Sequence, residues 1–250
     1  MVAAEALAHA RPDGQTALLL NNSHAASAAI FRRLPYDPVS DFAPATVVAN
    51  GPLVVLTAPN GPLTDLAALI AAARARPEAL NVATVGVGST QHFVSAALEA
   101  AAGIKLTHVP YGSTPAALVA LRGGEVQVVV ETAGAVLGQL RANEARAVAV
   151  SSVARSEILP DVPSVAEAGL PGFDVSTWYM LAFPAGTPEP VLAQMQAEMA
   201  RALAGPELRR QIVGLGLVPV AGTPDAARTL LGQQVARARE LRAAAGIPQQ

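Results

Sequence analysis

The residues best suited to bind a ligand lie in one short segment of glycine, hydroxyl and imidazole side chains. Residues 86–92 read Gly-Val-Gly-Ser-Thr-Gln-His and connect a predicted strand to a helix that we expect to begin at Gln91. Glycine lets a backbone approach a ligand closely, and the free N–H groups of a first helical turn attract anions. Gly88, Ser89 and Thr90 are therefore a candidate anion site, although the pattern is also typical of a plain turn with a Ser or Thr N-cap.

Two other polar groups could contribute to the same ligand. His92 falls in the first turn of that helix, where its ring could bind the ligand or pack against a neighbour. Asn22, Ser23 and His24 belong to a polar segment after a predicted strand at Thr16–Leu20, which we interpret as a loop. Such a loop could face a cleft, but an isolated polar loop is more often only solvated.

A third group ends the valine-rich run Val126–Val130, which is typical of a buried parallel strand. Glu131 and Thr132 follow this run, and open α/β sheets bind ligands at the carboxyl ends of their strands. Trp178 and Tyr179 lie within a predicted strand, where aromatic side chains are more often part of the core than of a site.

Other chemistries are excluded by what the sequence lacks. It contains no cysteine, which removes disulfides, thiolate catalysis and cysteine-based zinc sites. The dinucleotide fingerprint fails at Gln91, and the Walker, zinc-helix and nucleophile-elbow patterns are missing. With 17 basic and 19 acidic residues, the net charge of −2 argues against a nucleic-acid partner. These absences argue against the common enzyme classes, although a catalytic triad need not be local in sequence. A serine hydrolase using Ser89 with His92 or His24 is kept as an alternative.

The elements that must position these residues alternate between strands and helices, which predicts an α/β fold with helices on the faces of a sheet. Hydrophobic residues make up 52% of the chain and charged residues 14%, which excludes a disordered chain. No uninterrupted apolar run approaches the roughly 18 residues of a membrane-spanning helix. Met1–Ala10 is predicted to be helical and does not resemble a signal peptide, because it has Glu5 and no basic start.

Several segments, in order along nearly the whole chain, resemble one family of transport receptors. They are Ala10–Gly14, Leu34–Pro44, Asn81–His92, His108–Tyr111, Gly123–Gln127, Leu159–Gly172 and Pro184–Pro188. The most specific is Leu159–Pro163, with the sequence Leu-Pro-Asp-Val-Pro. On these residues the chain resembles the substrate-binding proteins of tripartite tricarboxylate transporters, the Bug-type periplasmic receptors.

This resemblance implies a two-domain clamshell of the periplasmic-binding-protein kind (type II-like), with mixed parallel sheets flanked by helices. Residues 1–56 and 182–250 would form one lobe and residues 57–181 the other. A small carboxylate would bind in the cleft between lobes, without catalysis, cofactor or metal. The protein would be a periplasmic monomer that delivers its solute to the membrane components of the transporter.

The resemblance also assigns ligand-binding residues. Gly88, Ser89, Thr90 and His92 match the family's ligand loop in the second lobe. Residues 22–24 (Asn22, Ser23 and His24) match a loop of the first lobe. Glu131 stands where Asp is common and Thr132 where Asn is common, so that the longer carboxylate side chain is expected to change which solute fits.

The chain departs from the family pattern at its start. The signal peptide, the first strand and a glycine-rich loop that the family normally has are missing from this sequence. We therefore expect a truncated or mis-started chain, and the alternative function is that of a family member that does not bind ligand.

Overall fold

The computed structural model describes residues 2–86, 89–244 and 249, and strands and helices alternate along most of them. The strands are β1 (Leu18–Asn21), β2 (Phe42–Thr57), β3 (Asn81–Thr84), β4 (Thr107–Pro110), β5 (Val128–Thr132), β6 (Arg146–Val150), β7 (Ser176–Pro184) and β8 (Val218–Pro219). The helices are α1 (Val2–Ala8), α2 (Asn22–Ile30), α3 (Leu66–Ala75), α4 (Thr90–Ala102), α5 (Thr114–Gly123), α6 (Ala133–Arg141), α7 (Glu189–Ala204), α8 (Pro206–Gly214) and α9 (Pro224–Ala244). The predicted α/β fold is confirmed.

Local capping residues explain where several helices begin and end. Asp65 precedes α3, and its Oδ1 accepts the Ala68 N–H at 2.7 Å, which satisfies one of the unpaired N–H groups of the first turn. Gly103 ends α4 and Gly124 ends α5, both in the left-handed conformation that glycine adopts without steric cost. These residues set the helix ends by local contacts, and α4 begins at Thr90, one residue before the predicted start at Gln91.

The chain divides into two units. The first comprises Met1–Asn50, Trp178–Gly214 and Val218–Gln250, and the second comprises Gly51–Thr177 together with Leu215–Leu217. The chain thus passes from one unit to the other inside β2 and near the start of β7. The short segment Leu215–Leu217 lies in the range 182–250 that the family resemblance implies for one lobe, whereas the structure assigns it to the second unit.

The sheet of the second unit places three helix starts at one edge. Strand β3 pairs in parallel with β4 and with β5, while the second half of β2 runs antiparallel to β5 and β6. Helices α4, α5 and α6 follow β3, β4 and β5 in the chain. Because parallel strands end at the same edge, the three helices begin there, and this is where open α/β sheets bind ligands. The core beneath this edge is aliphatic and contains Val54, Val129, Leu121 and Val136.

The first unit has its own sheet and core. Strand β1 pairs antiparallel with β7, and β8 pairs with Ala49 and Asn50 of β2. Trp178 is buried in this core, and its indole N–H donates to Gln234 Oε1 at 3.1 Å. Helices α2 and α9 pack against each other over the same core.

The expectation of a polar loop at Asn22, Ser23 and His24 is corrected. Residues 21–24 are not a loop, because Asn21 ends β1 and α2 begins at Asn22; the Asn21 side chain accepts the Ser23 N–H at 3.0 Å and so caps the helix directly. The apolar run Leu53–Leu56 lies near the end of the 16-residue β2, whose earlier part contains prolines. Proline is uncommon within strands. Strand β8 has two residues and is too short for a periodic pattern.

No helix of the described part of the chain combines the length and the apolar character needed to cross a membrane.

Candidate functional site

The start of α4 has the geometry of an anion site. Ser89 is the N-cap, in extended conformation with φ −68° and ψ 162°, and its Oγ accepts the His92 N–H at 3.2 Å. Thr90 is the first helical residue, so its hydroxyl and the free N–H groups of the first turn lie at the positive end of the helix dipole. Gly86 has φ 101°, a backbone conformation that favours glycine. Gly88 lies outside the described residues.

A buried carboxylate connects the three helix starts. Glu131, at the end of β5, is 3% exposed, and its Oε1 accepts the Gln91 side-chain N–H at 2.9 Å and the Thr132 N–H at 2.6 Å. The same oxygen accepts the Thr132 hydroxyl at 3.1 Å, and Oε2 accepts the Thr114 hydroxyl at 2.6 Å. We call these four residues the Glu131 network.

The Glu131 network explains how a carboxylate is tolerated in this position. Gln91 lies in the first turn of α4, Thr114 begins α5, and Thr132 immediately precedes α6. The positive ends of three helix dipoles and four hydrogen bonds therefore stabilise the charge. Both carboxylate oxygens are engaged, so Glu131 fixes the relative positions of the hydroxyl groups around it. The roles of Gln91 and Thr114 were not predicted, because both bind Glu131 from positions far away in the chain and such hydrogen bonds produce no local sequence pattern.

His92 is buried and packs against His108, which pairs with the buried Glu99. Its ring lies 4.7 Å from the ring of His108, whose Nε2 is 2.6 Å from Glu99 Oε2. The other oxygen of Glu99 accepts the Leu106 N–H at 2.8 Å. Burial lowers the pKa of His92, and the neighbouring His108 lowers it further, whereas Glu99 opposes the shift. The His92 ring is therefore neutral at neutral pH and offers a hydrogen bond rather than a charge.

The predicted residues of the first unit have mostly structural contacts. Asn22 Oδ1 accepts the Trp178 N–H at 2.9 Å, which ties the start of α2 to β7. The Ser23 N–H donates to the capping Asn21, as described above. His24 is buried, stacked on Tyr36 and edge-on to Phe42, with ring centroids 5.8 and 4.8 Å away. Its Nε2 lies 2.8 Å from the Pro38 carbonyl oxygen and must donate, because a carbonyl only accepts.

The structure therefore brings one group of predicted residues together within the second unit. Ser89 and Thr90 are followed directly by Gln91, whose side-chain amide donates to Glu131. Glu131 in turn accepts the N–H of Thr132. Asn22, Ser23 and His24 share the first turn of α2 in the first unit. The prediction that these three residues contact a ligand stays a prediction. Each of them already has a polar group that forms a hydrogen bond within the first unit.

Burial of two histidines predicts an acid-sensitive fold. Burial lowers the pKa of both His24 and His92 from the ordinary 6.5, so the unfolded chain binds more protons below that pH. Their neutral forms stabilise the fold above about pH 6.5, and this contribution is lost as the pH falls towards their folded pKa values. We expect the free energy of unfolding to fall by up to about 1.4 kcal/mol per pH unit for each histidine. Denaturant unfolding at several pH values between 7 and 5 measures this slope.

The His24→Gln variant provides the specific test of that slope. Its amide can replace the donor to Pro38 but does not titrate, so we expect a smaller slope than in the wild type. His9→Gln, which removes an exposed histidine, is the control. An unchanged slope in His24→Gln would show that His24 does not carry the effect.

The side chains of the described residues do not suggest a metal centre. Within residues 2–86, 89–244 and 249, no three or more His, Cys, Asp or Glu side chains are grouped so that they could hold a metal ion.

Comparison with solved structures shows which proteins share this fold. Rpa4515 of R. palustris, solved with adipate, is 29% identical with a TM-score of 0.83, over 100% of this chain and 84% of its own. MatC (Rpa3494) of Rhodopseudomonas palustris, solved with bound malate, is 32% identical with a TM-score of 0.77, over 96% and 83%. The periplasmic binding protein BugD is 27% identical with a TM-score of 0.79, over 99% and 83%.

Comparison with family models agrees with these structures. Residues 1–247 match the model described as the tripartite tricarboxylate transporter family receptor. The resemblance inferred from the sequence motifs is confirmed, and the family consists of solute-binding receptors rather than a class of enzymes. The chain therefore belongs to the tripartite tricarboxylate transporter receptor family, which includes the Bug proteins.

Proposed function

We propose that this protein is a receptor that captures a small carboxylate and delivers it to the membrane components of a tripartite tricarboxylate transporter. The observation that carries the proposal is the start of α4, where Ser89, Thr90 and free N–H groups form an anion site beside Thr132. These neutral donors recognise a carboxylate by hydrogen bonds and the helix dipole. The work of the protein is binding and release, and we assign it no catalytic step.

The proposed setting follows the family. We place the protein in the periplasm because it shares its fold with the periplasmic binding protein BugD. That it acts as a monomer is part of the proposal. The second unit supplies Ser89, Thr90, His92 and Thr132, and the start of α2 is the proposed contribution of the first unit. The ligand stabilises whichever conformation binds it more tightly, and the membrane partner then distinguishes loaded from empty receptor.

The solved neighbours suggest the probes. Rpa4515 was solved with adipate and MatC with malate, which are dicarboxylates of different length and polarity. Both are suitable first ligands for this chain, within a panel that also contains tricarboxylates, amino acids and aromatic acids.

Removing a single hydroxyl tests the anion site. We expect Ser89→Ala and Thr90→Val each to weaken binding of adipate or malate about tenfold, since a hydrogen bond to a charged group contributes about 1.5–3 kcal/mol. Isothermal titration calorimetry measures the affinity, and ligand-free melting shows whether the fold is retained.

Ser89→Ala also removes the N-cap of α4, so a control is needed for the loss of a helix cap without the loss of a ligand contact. Asp65→Ala removes the N-cap of α3 in the same unit and should cost about 1 kcal/mol of stability without changing the affinity. Unchanged affinity in both Ser89→Ala and Thr90→Val would mean that Ser89 only caps the helix. Binding of no member of the panel by the wild type would contradict the receptor proposal, and Ser89-dependent release of product from an ester would favour a hydrolase.

A further inference from the structure

A three-residue segment late in the chain belongs to the second unit. Leu215–Leu217, which we call the strap, belongs to the second unit, whereas Gly214 before it and Val218 after it belong to the first. The strap therefore belongs to the same unit as α4, α6 and the Glu131 network.

The strap packs against the first turn of α6 backbone to backbone. A Cβ placed on Gly134 would lie 1.9 Å from the Leu215 carbonyl oxygen, and a Cβ placed on Gly216 would lie 2.1 Å from the Gly134 nitrogen. Side chains do not approach backbone atoms this closely, so only glycine fits at both positions. Gly216 also has φ 79°, which favours glycine independently of the contact.

The strap is held on its other side by β2. A Cβ on Gly51 would lie 2.7 Å from Leu217 Cδ2 and 3.0 Å from the Gly216 carbonyl oxygen. Gly51 is also the first residue of the second unit along β2. The strap is thus fixed between the point where β2 enters the second unit and the helix that begins beside Thr132.

We propose that the strap is a positioning element of the ligand site, which holds the first turn of α6, and with it Thr132, in the arrangement that binds the carboxylate. The inference rests on the proposed function, in which Thr132 contacts ligand. Thr132 lies two residues before Gly134 and is held from the other direction by Glu131, which accepts both its N–H and its hydroxyl. Because the contact at Gly134 involves backbone atoms, no change of rotamer can absorb a displacement of the strap.

Substitution of the strap glycine tests the proposal from a point distant in sequence from Thr132. In Gly216→Ala we expect the affinity for adipate and malate to fall at least about tenfold. In ligand-free protein labelled with ¹⁵N-threonine, the Thr132 amide resonance should move, because its bond to Glu131 changes, while that of Thr84 in β3 stays. Gly214→Ala is the matched control, since among the described residues nothing lies within 4 Å of a Cβ there.

A second pair of variants approaches the same contact from the helix. Gly134→Ala introduces the clash without the backbone strain of Gly216, and we expect the same loss of affinity. Gly138→Ala, in the same helix, is its control, because no described atom lies within 4 Å of that Cβ. If Gly216→Ala or Gly134→Ala does not fold, Leu217→Ala loosens the strap without a clash. Leu215→Ala, which trims a side chain that is 66% exposed, is then the control.

The outcomes separate this proposal from the proposed function. The positioning role would be overturned if the Thr132 resonance did not move in Gly216→Ala. If Gly216→Ala does not fold, the same criterion applies to Leu217→Ala. If the wild type binds no member of the panel, the proposed function fails. The spectrum of ligand-free protein still decides whether the strap positions Thr132.

Discussion

Replacing Glu131 by alanine is expected to lower the melting temperature by about 10 °C and to abolish measurable carboxylate binding. The substitution leaves the Gln91 amide, the Thr114 hydroxyl and the N–H and hydroxyl of Thr132 without their acceptor. A buried donor without a partner costs about 1–3 kcal/mol, and some of these groups can turn to water, so we expect a total of about 3–5 kcal/mol. For a chain of this length, 1 kcal/mol corresponds to about 2–4 °C.

Glu131→Gln separates the acceptor role from the shape of the side chain. Glutamine keeps one acceptor oxygen for Gln91 and Thr132, and its amide can donate to the Thr114 hydroxyl if that group reorients. We expect it to cost about 1 kcal/mol and to retain binding in weakened form. Scanning calorimetry and titration of adipate or malate measure both effects. An alanine variant that melts and binds like the wild type would show that the Glu131 network does not hold the site together.

Converting the carboxylates of the ligand to amides is expected to weaken binding at least tenfold. The donors at the start of α4 gain most from a charged acceptor, since hydrogen bonds to charged groups contribute about 1.5–3 kcal/mol and the helix dipole adds to them. An amide also presents N–H groups to a site that already consists of donors. Titration of adipate and adipamide, and of malate and its diamide, under identical buffer and salt gives the ratio directly.

The Ser89→Ala variant shows whether the discrimination arises at α4. If Ser89 contacts the carboxylate, the ratio of acid to amide affinity is smaller in the variant than in the wild type. The difference between the two ratios measures the interaction between the Ser89 hydroxyl and the ligand carboxylate, as in a double-mutant cycle. Equal affinity of acid and amide in the wild type would rule out the anion site as described.

The positions of the elements and the character of the α4 start were predictable from the sequence because local residues determine them. Gly103 ends α4 because glycine adopts φ 61° at no steric cost, and Asp65 starts α3 because its carboxylate reaches the first free N–H groups. The valine run of β5 predicts a buried strand for the same kind of reason. Ser89 and Thr90 were recognised as a helix start because the chemistry of an anion site is contained in a few consecutive residues.

The roles of the remaining residues were decided by contacts between residues far apart in the chain. Glu131 could be placed at the end of a strand, but its partners Gln91 and Thr114 are 40 and 17 positions away and meet it only because β3, β4 and β5 end at the same edge. Gly134 and Gly216 show no pattern in sequence, since their requirement for glycine arises from one backbone crossing another. Local stereochemistry therefore determined the elements and the helix start proposed as the anion site, whereas only tertiary packing decided which groups hold that helix start in place.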